Sequence, residues 1–97
     1  MEDRDYGQAD LKFENDTWYN VRSSNVGRAK FVDKSGFGLG QMWVQFKDTN
    51  GDLSSVIYVY DGIDAEEFSD FLTAPSHGKW IDRNFRKRNR AFTKIKA

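Results

Sequence analysis

Apolar and polar residues alternate most regularly in the middle of the chain. Met42, Val44 and Phe46 are interleaved with Trp43, Gln45 and Lys47. A period of two predicts a strand with one dry and one wet face, and Trp43 falls on the wet one. Asp48-Thr49-Asn50-Gly51-Asp52 follows, and its Asn-Gly pair tolerates positive φ, which predicts a hairpin turn. The return strand runs from Leu53 to Tyr60. Leu53, Ser55, Ile57 and Val59 point one way, and Ser54, Val56, Tyr58 and Tyr60 the other. Both faces carry apolar residues, so this strand belongs inside the sheet. Upstream, Trp18 to Val21 reads as a short strand, Ser23-Ser24-Asn25 as a turn, and Val26 to Val32 as an extended segment ended by Asp33-Lys34-Ser35-Gly36.

The period then changes. Asp64 stands three residues before Glu67 as a capping box, Ile63 can staple onto Phe68, and Phe68, Phe71 and Leu72 share a helical stripe. Pro75, the only proline, stops this helix, and Ser76 to Lys79 reads as a loop. Trp80, Ile81, Phe85 and Phe92 recur at spacings that fit a second helix with Arg83, Arg86, Lys87 and Arg90 on its open side. Lys94-Ile95-Lys96 reads as a short edge strand whose lysines discourage edge pairing. The expected fold is α+β: a small antiparallel sheet of three to four strands, then a helix, then a basic helix or loop. Residues 1–20 form an acidic N-terminal extension, partly disordered with residues 1–8 offering little to bury, and residues 21–97 form the domain.

Composition changes the picture at two points. Fifteen aromatic residues outnumber the fourteen Leu, Ile and Val residues together in a chain of 97. The net charge of zero is also a cancellation. Residues 1–20 hold six acids and two bases, residues 21–78 eight acids and five bases, and residues 79–97 eight bases against Asp82 alone, giving −4, −3 and +7. A near-neutral whole thus carries a directional field, of the kind that steers an anionic partner. No run of apolar residues approaches the roughly 20 needed to span a bilayer, and the polar, acidic start is unlike a signal peptide, so a cytoplasmic, membrane-free protein is expected.

Little of the sequence suggests catalysis. There is no Cys and a single His, which removes thiolate chemistry and any multi-His metal site within one chain. Ser76 and His77 are neighbours, but adjacent loop residues seldom aim at one another, and His77 reads as an exposed loop residue. Asp48, Asn50 and Asp52 echo a calcium loop without its closing Glu, and a hairpin explains them. Gly36, Gly38 and Gly40 lack the lysine of a phosphate loop and read as places of close backbone approach or a flexible start to a strand. No enzyme, metal or cofactor is expected.

Binding chemistry is better represented. Nucleic-acid surfaces pair cations for phosphates with flat rings for bases. The segment from Lys79 to Lys96 interleaves Trp80, Phe85 and Phe92 with eight bases. Phe85 and Phe92 read as core anchors, while Trp80, Tyr58, Tyr60 and Trp43 are open between core and contact.

The residues as a set resemble the KTSC domain, a module found at the C-terminus of some lysyl-tRNA synthetases and as stand-alone bacterial and phage proteins. The resemblance is carried by Ser23-Ser24-Asn25, Trp43-Val44-Gln45-Phe46, Tyr58-Val59-Tyr60, Phe71-Leu72 and Ala74-Pro75-Ser76-His77-Gly78-Lys79, continued by Arg86 and Phe92, over about residues 21–95. The stretch from Phe46 to Tyr58 is longer than is typical of the family, and the N-terminal extension lies outside its pattern. The resemblance implies an RNA-binding module and makes Ser24, Asn25, Tyr58, Tyr60, Ser76, Gly78 and Lys79 candidates for a shared site or structural corner, Gly78 through a positive φ. The expected function is non-enzymatic nucleic-acid binding, RNA preferred, through Lys79, Arg83, Arg86, Lys87, Arg88 and Arg90, with stacking on Tyr58, Tyr60 or Trp80. The alternatives are a protein-interaction or self-associating module using Trp43, which would form a homo-oligomer, and a phage-encoded binder of a small nucleotide.

Overall fold

The alternating segments pair in chain order. In the computed structural model, which describes residues 13–97, the strands are β1 (Tyr19–Asn20), β2 (Val26–Asp33), β3 (Leu39–Lys47), β4 (Leu53–Asp64) and β5 (Phe92–Lys96). Among the described residues they form one five-stranded antiparallel meander in the order β1-β2-β3-β4-β5. The fold is therefore α+β, with one strand more than the upper expectation. The difference is made by β1 and β5, both short, at the two edges. The disorder expected for residues 1–8 concerns residues outside those described. From residue 13 onward the acidic extension lies against the domain: the Phe13 ring meets Phe68 at 4.9 Å and Phe31 at 5.8 Å.

Register decides which residues share a face. Ala29, Val44, Tyr58 and Lys94 lie side by side across β2 to β5, and Phe31, Met42, Tyr60 and Phe92 form the next row. Helix α1 (Ala65–Thr73), helix α2 (His77–Ile81) and the π-helical turn Asp82–Arg86 that continues α2 cover this face. Their Phe68, Phe71, Trp80, Ile81 and Phe85 close a core with Val26, Ala29, Phe31, Met42, Val44, Tyr60 and Ile63. The expected stripe of α1 is thus the buried one, and its capping box is formed: Glu67 N–H donates to Asp64 Oδ1 at 2.8 Å and Asp64 N–H to Glu67 Oε1 at 3.2 Å. The Asn-Gly hairpin also forms, with Gly51 at φ 84° and Asp48 Oδ1 accepting from the Asn50 and Asp52 amides.

Four local expectations are corrected. Ser76 to Lys79 is not a loop: Ser76 caps α2, its Oγ accepting from the Lys79 amide at 3.4 Å, and His77 to Lys79 form the first turn. Phe92 does not continue a helix. Asn89, at φ 52°, ends the helical run, and Phe92 begins β5. Gln45, expected on a wet face, is 2 % exposed and fully engaged, its Oε1 accepting from Arg28 Nε at 2.7 Å and its amide donating to the Ser54 carbonyl at 2.7 Å. His77 is half-buried with its ring against Phe71 at 5.0 Å.

The loop between β2 and β3 is built around one carboxylate. Asp33 Oδ1 accepts from the Ser35 and Gly36 amides and the Ser35 hydroxyl, and Oδ2 from the Gly38 amide. These bonds, the Gly38 amide foremost, hold the carboxyl below its ordinary pKa against the opposing effect of burial. Of the three glycines read as places of close backbone approach, Gly40 is one, so near the Val32 carbonyl that a side chain would overlap it, whereas Gly36 and Gly38 serve instead through positive φ, 87° and 92°. Among the described residues no helix is long and apolar enough to cross a membrane.

Candidate nucleic-acid interface

The segment from Arg22 to Asn25 leads into β2, and Pro75 to Lys79 joins α1 to α2. They are about fifty residues apart in sequence and meet in space. Their contact is the Asn25 side chain lying on the Gly78 backbone: a Cβ on Gly78 would stand 2.5 Å from Asn25 Oδ1 and 3.3 Å from Nδ2. Gly78 is therefore needed for space. It does not have the positive φ expected of it. The Ser23 hydroxyl donates to Asn25 Oδ1 at 3.0 Å and accepts from the Val26 amide at 3.1 Å, an ST-type turn that fixes the Asn25 amide. Lys47 anchors the loop from the end of β3, donating from Nζ to the Ser23 carbonyl and from its amide to the Asn25 carbonyl, both at 2.7 Å.

The junction is a cleft of about 440 Å³, walled by Arg22, Ser24, Asn25, Ser76, Lys79 and Arg86, with Asp82 the one acid lining it among the described residues. Arg22, Lys79 and Arg86 are exposed and make no ion pair among the described residues. Asp82 is shared with Lys87 at 3.8 Å. The cleft thus holds a local excess of cations beside a Ser24 hydroxyl and an Asn25 Nδ2, and among the described residues neither these two groups nor the three cations have a hydrogen-bond or ion-pair partner. Such a set of donors, with few acceptors, suits an oxyanion such as phosphate.

Arg86 links this cleft to two others. One, of about 360 Å³, is lined by Asn25, Phe46, Lys47, Asp48, Tyr58 and Arg86 among others. The second, of about 220 Å³, is formed by Tyr60, Phe85, Arg86, Asn89, Arg90 and Phe92. The Arg86 guanidinium is 5.7 Å from the Phe46 ring. Phe46, Tyr58 and Phe92, on β3, β4 and β5, form a row with centroids 5.4 and 5.1 Å apart, and Phe92 is 46 % exposed.

The residues expected to bind divide accordingly. Ser24, Asn25, Ser76, Gly78, Lys79 and Arg86 converge on the cationic cleft, and half-buried Tyr58 lines its neighbour. Tyr60 and Trp80 are not platforms. They are 3 % and 6 % exposed, with Tyr60 stacked on Phe85 at 4.1 Å and Trp80 edge-on to Phe71 and Phe85. Burial raises the Tyr60 hydroxyl pKa, against the pull of the Arg86 charge. Arg90 serves the fold, donating to Glu67 Oε2 at 3.2 Å and to the Gly62 carbonyl at 3.1 Å. Arg83 faces a separate hollow with Asp70 and Thr73, and Lys87 and Arg88 are exposed outside the cleft linings. Arg22, which the charge pattern of the tail does not single out, joins the cleft residues, and its place directly before the Ser-Ser-Asn turn is the one sequence signal for it. The spacing and hydrophobicity of Phe46 and Phe92 read as core, yet Phe46 is half-buried and Phe92 exposed.

The opposite sheet face is organised differently. Lys30 Nζ lies 5.0 Å from the Trp18 ring and 4.5 Å from the Trp43 ring, and 2.7 Å from Asp16 Oδ1. Arg28 stands over Trp18 at 4.2 Å, and Trp43 Nε1 donates to Gln41 Oε1. The Trp43 ring is thus half-buried and engaged by the chain's own lysine.

As for catalytic chemistry, His77 Nε2 meets the Leu72 carbonyl at 3.3 Å, the Ser76 hydroxyl is engaged with the Lys79 amide, and His77 Nδ1 is buried with no partner among the described residues. A bond to a carbonyl puts the proton on Nε2. No cluster of three or more His, Asp and Glu side chains that could hold a metal ion occurs among the described residues.

No curated protein matches the chain. A family model does match, that of the KTSC domain, over residues 37–88, from the β2–β3 loop to just beyond the π-helical turn. The match includes Tyr58, Ser76, Gly78, Lys79 and Arg86, and leaves Ser24, Asn25 and Phe92 outside it. With more than half its length matched, the chain belongs to the KTSC domain family.

Proposed function

We propose that this chain is a non-enzymatic nucleic-acid-binding module, with RNA its preferred ligand, and that its contact surface is the cleft between the Arg22–Asn25 loop and the start of α2. The observation that carries the reading is the meeting of two distant segments on one surface where Arg22, Lys79 and Arg86 are exposed and unpaired among the described residues. Cations of this kind attract any phosphate chain, and aromatic side chains beside them distinguish a nucleic acid from a simple polyanion. Phe46, Tyr58 and Phe92 supply those rings through Arg86. Self-association through Trp43 draws less support, because Lys30 already occupies that indole.

Anisotropy titration of a labelled single-stranded RNA at several salt concentrations tests the reading. Three phosphate contacts give a log–log slope of about −2, and Arg86→Ala flattens it by about 0.7. Absence of binding at low salt overturns the proposal.

A further inference from the structure

We infer, building on the nucleic-acid reading above, that the site selects unpaired strands: a phosphate sits among Arg22, Lys79 and Arg86, and a base stacks on Phe92. Arg86 lines all three clefts, so they adjoin at one side chain, and one short stretch of chain passing over it can touch the cations and the rings together. Phe92 is the ring left open. It is 46 % exposed, while Tyr60 beside it and Trp80 are sealed into the core. Tyr58 is half-buried, flanked by Phe46 and Phe92, with Lys94 Nζ 5.5 Å from its ring.

The planes of the row are inclined to one another, 90° from Phe46 to Tyr58 and 41° from Tyr58 to Phe92. The row therefore makes no continuous flat shelf for a stack of bases, and Phe92 is its one exposed ring, open to a single base. Inside a duplex the base faces are already covered by their neighbours, so a double helix reaches only the cations. A single strand can turn a base out onto Phe92 while its phosphate remains in the cationic cleft. Ser24 and Asn25 Nδ2, which lack partners among the described residues, are donors available to the sugar-phosphate oxygens beside it.

The test compares a short labelled RNA with the same strand annealed to its complement, using the full chain at low salt. The single strand is expected to bind at least about tenfold more tightly. Phe92→Leu, which keeps apolar volume but removes the flat face, is expected to weaken single-strand binding by about 5- to 150-fold and to leave duplex binding unchanged. Phe92→Tyr keeps the ring and is expected to bind as the parent does, which guards against a fold defect at that position. Lys79→Gln is expected to weaken both ligands alike. Equal affinity for both RNAs, or unchanged single-strand binding by Phe92→Leu, overturns strand selection and leaves the nucleic-acid reading standing. Failure of both RNAs to bind the parent removes both.

Discussion

Replacing Gly78 with alanine separates the structure described here from a simple reading of helix propensity. Gly78 is the second residue of α2 and its φ is not positive, so propensity alone predicts that alanine stabilises the helix by about 0.5–1 kcal/mol. The structure predicts the reverse. The new Cβ would stand 2.5 Å from Asn25 Oδ1 and 3.3 Å from Asn25 Cγ, and the amide is held in place by Ser23. Overpacking of this kind costs about 1–3 kcal/mol, so Gly78→Ala should lower stability by about 1–2 kcal/mol. In an Asn25→Ala background the obstructing atoms are gone, and the same substitution should become stabilising by about 0.5–1 kcal/mol. The sign change amounts to a coupling of about 1.5–3 kcal/mol, well above the error of a double-mutant cycle. Urea denaturation of the parent, the two single variants and the double variant measures it, provided the slopes agree. If Gly78→Ala is equally stabilising with and without Asn25, the two segments do not meet as described and the cleft is lost with them.

The basic residues should separate in a paired experiment. Arg90→Ala breaks the contacts to Glu67 and the Gly62 carbonyl and should cost about 0.5–2 kcal/mol in thermal or chemical denaturation. Arg86→Ala should stay within about 0.5 kcal/mol of the parent while losing RNA affinity. Asp33 makes the β2–β3 loop sensitive to acid. Its folded pKa lies below the ordinary value of 3.8, so its stabilisation is full above that value and is lost as the pH falls through the lowered one. Protection of the Gly36 and Gly38 amides, taken relative to the intrinsic exchange rate at each pH, should therefore fall on strong acidification, and Asp33→Asn should show the lower protection already at neutral pH. Phe37, at the tip of that loop and 88 % exposed, contributes nothing to the core, and Phe37→Ser should leave the melting temperature nearly unchanged.

These outcomes follow the line between local and distant information. The β3–β4 hairpin and the capping box of α1 are written within a few neighbouring residues, Asn50-Gly51 and Asp64 with Glu67, and both are present. Phe92 is ambiguous in the sequence because its spacing of seven residues from Phe85 suits a helix equally well. What ends the helix is the left-handed backbone at Asn89, a conformation that asparagine tolerates without requiring it. Ser76 to Lys79 looked like a loop because glycine is a poor helix former. The compensating fact, that Asn25 needs the space, lies more than fifty positions upstream. The fate of Tyr58 and Tyr60 was also undecidable locally. They share a strand face, yet Phe85 from the π-helical turn caps only Tyr60. The basic tail is visible as a charge total, but its division into a tether at Arg90 and, among the described residues, unpaired heads at Lys79 and Arg86 depends on where Glu67 and Arg22 arrive in space.

The central claim is that the two segments joined by Asn25 and Gly78 form a surface for nucleic acid. Backbone amide chemical-shift mapping on addition of a short single-stranded RNA tests it residue by residue. The account predicts shifts concentrated at Arg22 to Asn25, His77 to Lys79, Arg86 and Phe92, weakening as salt is raised. Shifts gathered instead around Trp18, Lys30 and Trp43 on the opposite sheet face, or no shifts at low salt, would contradict it.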